Sequence, residues 1–218
     1  MIKSVKKREP LHLQSYRVIK EGITQGQYDP RERITEVGIS IELGVSRGTA
    51  REAIKMLLQD GLIVQQDGCL KIFEPTLEKA TELYLCRERL ESLAAKLATR
   101  NITSEEKKKL SFYLTKAKLA IKERDSLKLS KLNTDFHHLI IMSSRNDELL
   151  QLMNLISAKV SFIRNSLHCN YVRTGNWYEE HQEIAQAIFN NNEVEAEKLM
   201  IKHIKKDLEA INILFSKN

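Results

Sequence analysis

The chain has 218 residues, of which 42% are hydrophobic and 29% are charged, with eight glycines and three prolines. This composition excludes collagen-like, low-complexity and wholly disordered proteins. The net charge of +6 is divided between residues 1–74, with 12 basic and 10 acidic side chains, and residues 75–218, with 23 and 19. Such a dispersed excess does not by itself indicate a nucleic-acid partner, because a DNA-binding surface is a local basic cluster.

The sequence also restricts the cellular compartment. No stretch approaches the roughly 18 apolar residues that a membrane span requires, and the basic start lacks the apolar segment of a signal peptide. The three cysteines form no CxxC pair, and their odd number and irregular spacing are typical of free thiols in a reducing compartment. We therefore expect a cytoplasmic protein without membrane contact.

The first 74 residues predict a small domain of helices and strands. The segment Leu43-Gly44-Val45-Ser46 predicts a turn between two helices, with Ser46 as the N-cap of the second helix. An Asp67-Gly68 step between two short β-rich runs predicts a hairpin. The predicted helices cover residues 13–24, 35–43 and 46–60, and the predicted strands cover 61–65 and 70–73.

The remaining residues predict helices only. They contain one glycine, and their apolar residues recur at helical spacing between polar breaks. The breaks fall near residues 101–104, 124–126, 143–147, 165–176 and 190–192. We therefore predict a mainly α protein with two domains: a winged helix-turn-helix of three helices and a β-hairpin wing in residues 1–74, and an all-helical bundle of about six helices in residues 75–218.

The third predicted helix carries a basic face that begins at its N-terminus. Arg47, Arg51 and Lys55 recur every four residues, on a different face from the apolar stripe. A recognition helix enters the major groove of DNA by this end, where an arginine can donate two hydrogen bonds to guanine. The hydroxyls of Ser46 and Thr49 can hold phosphates there. Alternatively, the basic residues are only the solvated face of an amphipathic helix.

Residues 43–63, LGVSRGTAREAIKMLLQDGLI, resemble the winged-helix signature of the GntR family of transcriptional regulators. That signature has a Leu-Gly-Val-Ser-Arg run followed by Arg-Glu-Ala-Leu and Gly-Leu. Residues 83–91, LYLCRERLE, resemble the first helix of the effector domain of the FadR-type branch, the FCD domain. The resemblance implies a homodimer that binds a double-stranded DNA operator, with repression as the commoner mode. It also implies operator contacts at Arg47, Thr49, Arg51 and the wing glycine Gly68, whose missing side chain lets the backbone approach DNA closely.

A second candidate site lies in the helical part. Asn133 and His137 share one helix face, and His181 and His203 lie on two later helices. Three imidazoles and one amide oxygen can hold a divalent transition metal such as Zn or Ni. On spacing alone, each histidine can equally be structural. The motifs NTDFH, EHQEIAQAI and AEKLMIKH, which contain these four residues, resemble the metal-ligand motifs of metal-containing FCD domains, which implies that they bind a metal.

The same site suggests the ligand that the protein senses. Asn133 occupies a position where metal-containing relatives commonly have Asp, and a neutral amide leaves a metal site more positive. We therefore expect a small carboxylate effector that completes the coordination shell. Arg87, which matches an arginine of the family's first effector-domain helix, is the first candidate to pair with this carboxylate, and Arg164 is the second. The alternative for each is a salt bridge within the bundle.

These features favour a ligand-responsive transcriptional regulator over two alternatives. The first alternative is a metal-dependent hydrolase or lyase carrying a DNA-binding domain. Such an enzyme needs a general base, and the sequence offers no clear one: Glu180, beside His181, is the only nearby carboxylate that we can nominate. We therefore expect that the protein is not an enzyme. The second alternative is an architectural DNA-binding protein whose helical domain only dimerises.

Overall fold

A computed structural model describes residues 9–29, 32–166 and 177–216 of the chain. The chain divides into two compact units between Glu74 and Pro75. The mainly α fold, with an N-terminal helix-turn-helix and wing followed by a helical bundle, is confirmed. Within the described ranges, no helix is both long enough and apolar enough to cross a membrane.

The N-terminal unit contains, within its described residues, three helices and a three-stranded antiparallel sheet. The helices are α1 (Leu11–Thr24), α2 (Glu36–Leu43) and α3 (Arg47–Gln59), and the strands are β1 (Arg33–Ile34), β2 (Ile63–Gln66) and β3 (Cys69–Ile72), in the order β1-β3-β2. Strand β1 was not predicted. It has only two residues, paired with Lys71 and Leu70, so it shows no alternating pattern in the sequence.

Local capping fixes the angle between α2 and α3. Gly44 ends α2 with a positive φ of 63°, a conformation that favours glycine. Two residues later, the Ser46 Oγ accepts a hydrogen bond from the Thr49 amide at 3.1 Å and begins α3. The opposite face of α3 is buried through Ala50, Ala53, Ile54 and Leu57, and α3 packs against α1 and α2.

The wing is a two-residue hairpin. Gln66 pairs with Cys69 across the turn, and Asp67 and Gly68 both have positive φ, at 53° and 73°. Positive φ at both central positions is the pattern of a type I′ turn, whose twist matches that of the two strands. No atom lies within 4 Å of a Cβ built on Gly68, so the turn conformation and not crowding favours glycine there.

The described residues of the C-terminal unit form six helices, as predicted. They are α4 (Leu77–Asn101), α5 (Ser104–Glu123), α6 (Ser126–Ser143), α7 (Asp147–Ser166), α8 (Trp177–Phe189) and α9 (Glu193–Phe215). Most of the polar breaks supply N-caps: the side chains of Thr103, Asp125 and Asn192 accept hydrogen bonds from the first turns of α5, α6 and α9. Most of the predicted break at 165–176 lies outside the described residues, as does Cys169.

Helix α4 is the centre of the bundle. It packs against α6, α7, α8 and α9, and its buried face is unusually polar. Arg87, Glu88 and Glu91 are all at most 5% exposed. Ionised side chains are rarely buried without partners, so these residues point to a polar site inside the bundle.

Candidate functional site

Three histidines from three helices meet in the interior of the C-terminal unit. His137 lies on α6, His181 on α8 and His203 on α9, and each is at most 5% exposed. One ring nitrogen of each lies within 4.8 Å of the corresponding nitrogen of the other two. The structure therefore brings together the three imidazoles that the family resemblance implied as metal ligands.

Hydrogen bonds fix which nitrogen of each ring faces the centre. The Nδ1 of His181 donates to the backbone oxygen of Trp177 at 2.8 Å, and the Nδ1 of His203 donates to the Glu180 carboxylate at 2.9 Å. The Nδ1 of His137 donates to the carboxylate of Glu91. Carbonyl and carboxylate oxygens only accept, so in each neutral ring the proton is on Nδ1 and the lone pair is on Nε2.

The inward-facing lone pairs are poorly satisfied by the protein itself. The Nε2 atoms of His137 and His181 lie 3.3 Å apart, and two lone pairs at that distance repel each other. The Nε2 of His203 is buried without a hydrogen-bond partner among the described residues. Burial lowers the pKa of His137 to about 4, despite the opposing carboxylate of Glu91, so this ring is a neutral ligand at neutral pH. The donor set fits a divalent transition metal.

Asn133 lies at the same point. It is 4% exposed, and its Oδ1 is 2.8 Å from the Nε2 of His181. Both atoms are acceptors, so this contact is favourable only if a cation lies between them or if the amide is turned so that its NH₂ group donates. All four residues predicted as metal ligands thus lie together in the structure.

Sequence reasoning missed two carboxylates around the histidines, Glu91 and Asp207, and it nominated a third, Glu180, only as a general base. Glu91 and Glu180 accept from imidazole Nδ1 atoms, as carboxylates beside metal-binding histidines commonly do. Asp207 accepts from Arg87 at 3.0 Å, and its Oδ2 is 3.6 Å from the Nε2 of His203. Glu91 and Asp207 each lie four residues after a predicted site residue, which is a weak signal, because i,i+4 pairs are also common on solvated faces.

Arg87 is the ionic centre of this cluster. It is 1% exposed, and its guanidinium contacts Glu91 and Asp207 and lies 3.3 Å from the Nε2 of His137. Burial disfavours its charge, but the carboxylates, Glu91 foremost, more than offset this and raise the pKa of Arg87. Burial also opposes the charge of Glu91, but Arg87 and His137 hold the pKa of that carboxyl well below its usual range. Arg87, which was predicted to bind the effector, therefore also forms the salt bridge within the bundle that was considered as its alternative role.

Arg164, on α7, has an unsatisfied donor. It is 9% exposed, and its Nη2 donates to Thr134 Oγ1 and to the Ser130 carbonyl at 3.4 Å. Its Nε is buried and has no hydrogen-bond partner in the described part of the chain. Burial lowers the pKa of Arg164, although the group remains charged, as arginine does in proteins.

The predicted DNA-contacting residues lie on the surface of the N-terminal unit. Arg47, Arg51 and Lys55 are exposed along α3, and Lys55 pairs with Glu52 at 2.9 Å. The Ser46 hydroxyl is engaged as the cap of α3 and lies 2.9 Å from the hydroxyl of Thr49. Gly68 forms the tip of the wing, as described above. Sequence reasoning missed Glu36 of α2, whose carboxylate binds Arg51.

The fold and the two sites define a winged helix-turn-helix transcriptional regulator with a helical effector domain. The model of the bacterial regulatory proteins of the gntR family matches residues 11–69, and the FCD domain model matches residues 82–206. The chain belongs to the GntR family and carries an FCD domain.

Relatives and solved structures agree with this assignment. The chain is 30% identical over 205 residues to the uncharacterised HTH-type transcriptional regulator YdhC of Bacillus subtilis, covering 93% of this chain and 92% of that protein. It is 29% identical to the Nta operon transcriptional regulator of Aminobacter aminovorans, covering 84% and 86%. The structure of E. coli McbR/YncC superposes with a TM-score of 0.82 at 19% identity, covering 96% and 99%, which shows the shared fold.

The families and the relatives are transcriptional regulators, so the prediction that the chain is not an enzyme is confirmed. The position of Glu180 agrees with this. Its carboxylate is engaged by the Nδ1 of His203 and by Lys206 at 2.7 Å. It lies on the side of the ring away from Nε2, and so would not act on a molecule bound at the inward-facing nitrogens.

We predict that His203→Ala weakens zinc binding by at least about tenfold, the scale of effects measured around metal sites. The reason is that the Nε2 of His203 has no hydrogen-bond partner among the described residues, so its lone pair is available to a metal. A competition titration with a chromophoric chelator measures the affinity. His138→Ala is the matched control, because His138 is an exposed histidine on α6 beside His137. Equal zinc affinity in the wild type and His203→Ala would contradict the prediction.

Proposed function

We propose that the protein is a cytoplasmic repressor that binds a palindromic operator as a homodimer and releases it when a small carboxylate binds at a metal in the C-terminal unit. The observation that carries the sensory half is the convergence of three imidazole Nε2 lone pairs. The observation that carries the DNA-binding half is the exposed basic face of α3 in a gntR-type winged helix.

The geometry of the N-terminal unit supports major-groove recognition by α3. The basic side chains begin at the first residue of the helix, where backbone N–H groups are also free to meet phosphates. We propose that Arg47 and Arg51 contact bases, that Ser46, Thr49 and Lys55 contact the DNA backbone, and that the Gly68 turn lies against the sugar-phosphate wall.

Exposed leucines on packed helices support the homodimer. Helices α4 and α7 lie against each other, and each presents two leucines that are 40–57% exposed: Leu85 and Leu93, and Leu152 and Leu155. Apolar residues on adjoining helices are suited to burial in a two-fold interface, in which the same surface of both copies is used. A two-fold dimer in turn requires an operator with two matching half-sites.

We propose that His137, His181, His203 and Asn133 hold one divalent transition metal, with Zn and Ni as the leading candidates. Neutral imidazoles suit both ions, and four protein ligands leave coordination positions open when the ion takes five or six. An ion at this point would replace the repulsion between facing lone pairs with coordinate bonds, and it would give the buried Nε2 of His203 a partner.

The charges around the site favour an anionic effector. Arg87 and Arg164 carry two positive charges, which the buried carboxylates of Glu91 and Asp207 balance. Glu180 is paired with Lys206. A divalent ion would therefore add a buried charge of about +2 that no carboxylate of the described residues is left to balance, and burying such a charge is expensive unless an anion accompanies it. A small carboxylate supplies that anion.

Both arginines can take part in binding the carboxylate. The Nε of Arg164 is buried without a partner in the described residues. The Nη2 of Arg87 donates to the Nε2 of His137 at 3.3 Å, and a metal on that nitrogen would take its lone pair and release the Nη2 donor. We therefore propose that metal binding makes Arg87 available to the effector. Regulation requires that the effector bind the DNA-free state of the dimer more tightly than the DNA-bound state.

We predict that binding-site selection from a random duplex pool at fixed salt enriches a short palindrome. Arg51→Ala should relax the preference at one symmetric position and cost about 1–3 kcal/mol per base contact. Lys55→Ala, a change on the same helix face, should weaken binding evenly across sequences and reduce its salt dependence. Enrichment of no sequence by the metal-loaded protein would contradict operator recognition and favour the architectural alternative.

We further predict that small carboxylates stabilise the metal-loaded protein and not the metal-free protein. At a concentration 100 times its dissociation constant, a ligand adds about 2.7 kcal/mol to the free energy of unfolding. The stabilisation is measured by thermal unfolding of both forms of the protein in the presence of acetate, lactate, succinate or citrate. The uncharged amide of each acid is the control ligand. Arg164→Lys retains the charge but loses the Nε donor, and it should weaken binding of the preferred carboxylate by about tenfold. Equal stabilisation of the metal-free protein would contradict the proposal.

A further inference from the structure

The side chain of Arg51 is held by a carboxylate from the neighbouring helix. The Nε of Arg51 donates to Glu36 Oε1 at 2.8 Å, and its Nη2 donates to Oε2 at 2.9 Å. Glu36 is the first residue of α2, and Arg51 lies on the second turn of α3. This pair of parallel hydrogen bonds fixes the plane of the guanidinium and joins the two helices of the helix-turn-helix.

The bond pattern leaves one edge of the guanidinium available. A guanidinium can form two parallel hydrogen bonds through its Nε/Nη2 edge or through its Nη1/Nη2 edge. Glu36 occupies the first edge. The Nη1 of Arg51 makes no hydrogen bond within the described residues, and the side chain is 56% exposed, so the second edge is available to a partner outside the protein. Guanine presents two acceptors, O6 and N7, in the major groove, and arginine binds them with two parallel hydrogen bonds.

DNA affinity does not account for a carboxylate at this position, and the dipole of α2, which favours an acidic residue in its first turn, does not require that residue to bind Arg51. Hydrogen bonding to Arg51, helped by the positive charges of Lys55 and Arg47, lowers the pKa of Glu36, so it is ionised at neutral pH among the basic residues of α3. A negative charge there repels DNA phosphates and reduces affinity for every sequence. The Arg51 and Glu36 side chains are 56% and 36% exposed, and exposed ion pairs contribute little to stability.

We propose that Glu36 is a specificity-determining positioning residue. It restricts Arg51 to the orientation in which the Nη1/Nη2 edge faces a guanine, and it lowers affinity for non-specific DNA through its charge. Both effects increase the ratio of specific to non-specific binding. This inference rests on the proposed operator binding by α3. It adds that Arg51, the arginine proposed to contact a base, is oriented by Glu36 of α2.

The test uses the metal-loaded 218-residue protein and the palindrome selected by the wild type. Binding is measured at fixed salt to three duplexes: the palindrome, the palindrome with the guanine that Arg51 reads replaced by adenine, and a scrambled sequence. For Glu36→Ala we expect the preference for guanine over adenine to fall by at least about fivefold, and binding to the scrambled duplex to be equal or tighter.

Glu52→Ala is the matched control. Glu52 is an exposed carboxylate on α3, paired with Lys55 at 2.9 Å, so removing it changes the charge near DNA without releasing Arg51. It should tighten binding to the scrambled duplex and leave the preference for guanine unchanged. Glu36→Gln is uncharged and keeps only one acceptor oxygen, so it should also reduce the preference for guanine. It replaces Glu36→Ala in the test if that variant unfolds at a lower temperature than the wild type.

The outcomes separate the two proposals. If the wild type selects no sequence, operator recognition by α3 fails, and the role of Glu36 fails with it. If the wild type selects a palindrome and both Glu36 variants keep the full preference for guanine, operator recognition stands and the role of Glu36 is overturned. A loss of guanine preference that Glu52→Ala reproduces equally would also overturn it, because charge alone would then account for the effect.

Discussion

The arrangement of the C-terminal unit depends on three imidazole lone pairs that face one another in a buried space. Each ring is fixed by a hydrogen bond from its Nδ1 to a carboxylate or carbonyl oxygen, so none of the rings can relieve the repulsion by moving its proton. Within the described ranges, the Nε2 of His203 has no hydrogen-bond partner, and the Nε2 atoms of His137 and His181 lie 3.3 Å apart. A cation is the simplest partner for such a cluster.

The charged residues around the histidines explain why a cation site and an anion site would coincide. Arg87 contacts the carboxylates of Glu91 and Asp207 and reaches His137, and the buried Arg164 supplies the second positive charge that balances the two carboxylates. Under the proposed function, a bound divalent metal would make the pocket positive. The proposed effector would then not need to displace an ion pair, because it would neutralise the charge of the metal.

Local features of the chain predicted much of the fold. The Leu43–Ser46 turn, the Asp67-Gly68 hairpin and the polar breaks between α4 and α9 all depend on residues close in sequence, where φ preference and capping act. The four proposed metal ligands were recognised by a combination of i,i+4 spacing and family resemblance. Their convergence could be expected, but not their ring orientations.

What the sequence did not predict depends on contacts between distant segments. Glu36 and Arg51 are 15 residues apart, and Arg87 and Asp207 are 120 apart. No periodicity links such pairs, and a carboxylate on an amphipathic helix gives the same pattern whether it faces solvent or a buried cation. Strand β1 was missed for a related reason, since its two residues become a strand only through pairing with β3.

The most direct test of the buried imidazole cluster is X-ray absorption at the metal edge of zinc-loaded protein. The structure predicts three imidazole nitrogens at about 2.0–2.1 Å, with the remaining ligands oxygen. His203→Ala should reduce the imidazole contribution by one ring. A spectrum dominated by sulfur at about 2.3 Å, or one that His203→Ala leaves unchanged, would contradict the assignment of this cluster as the metal site.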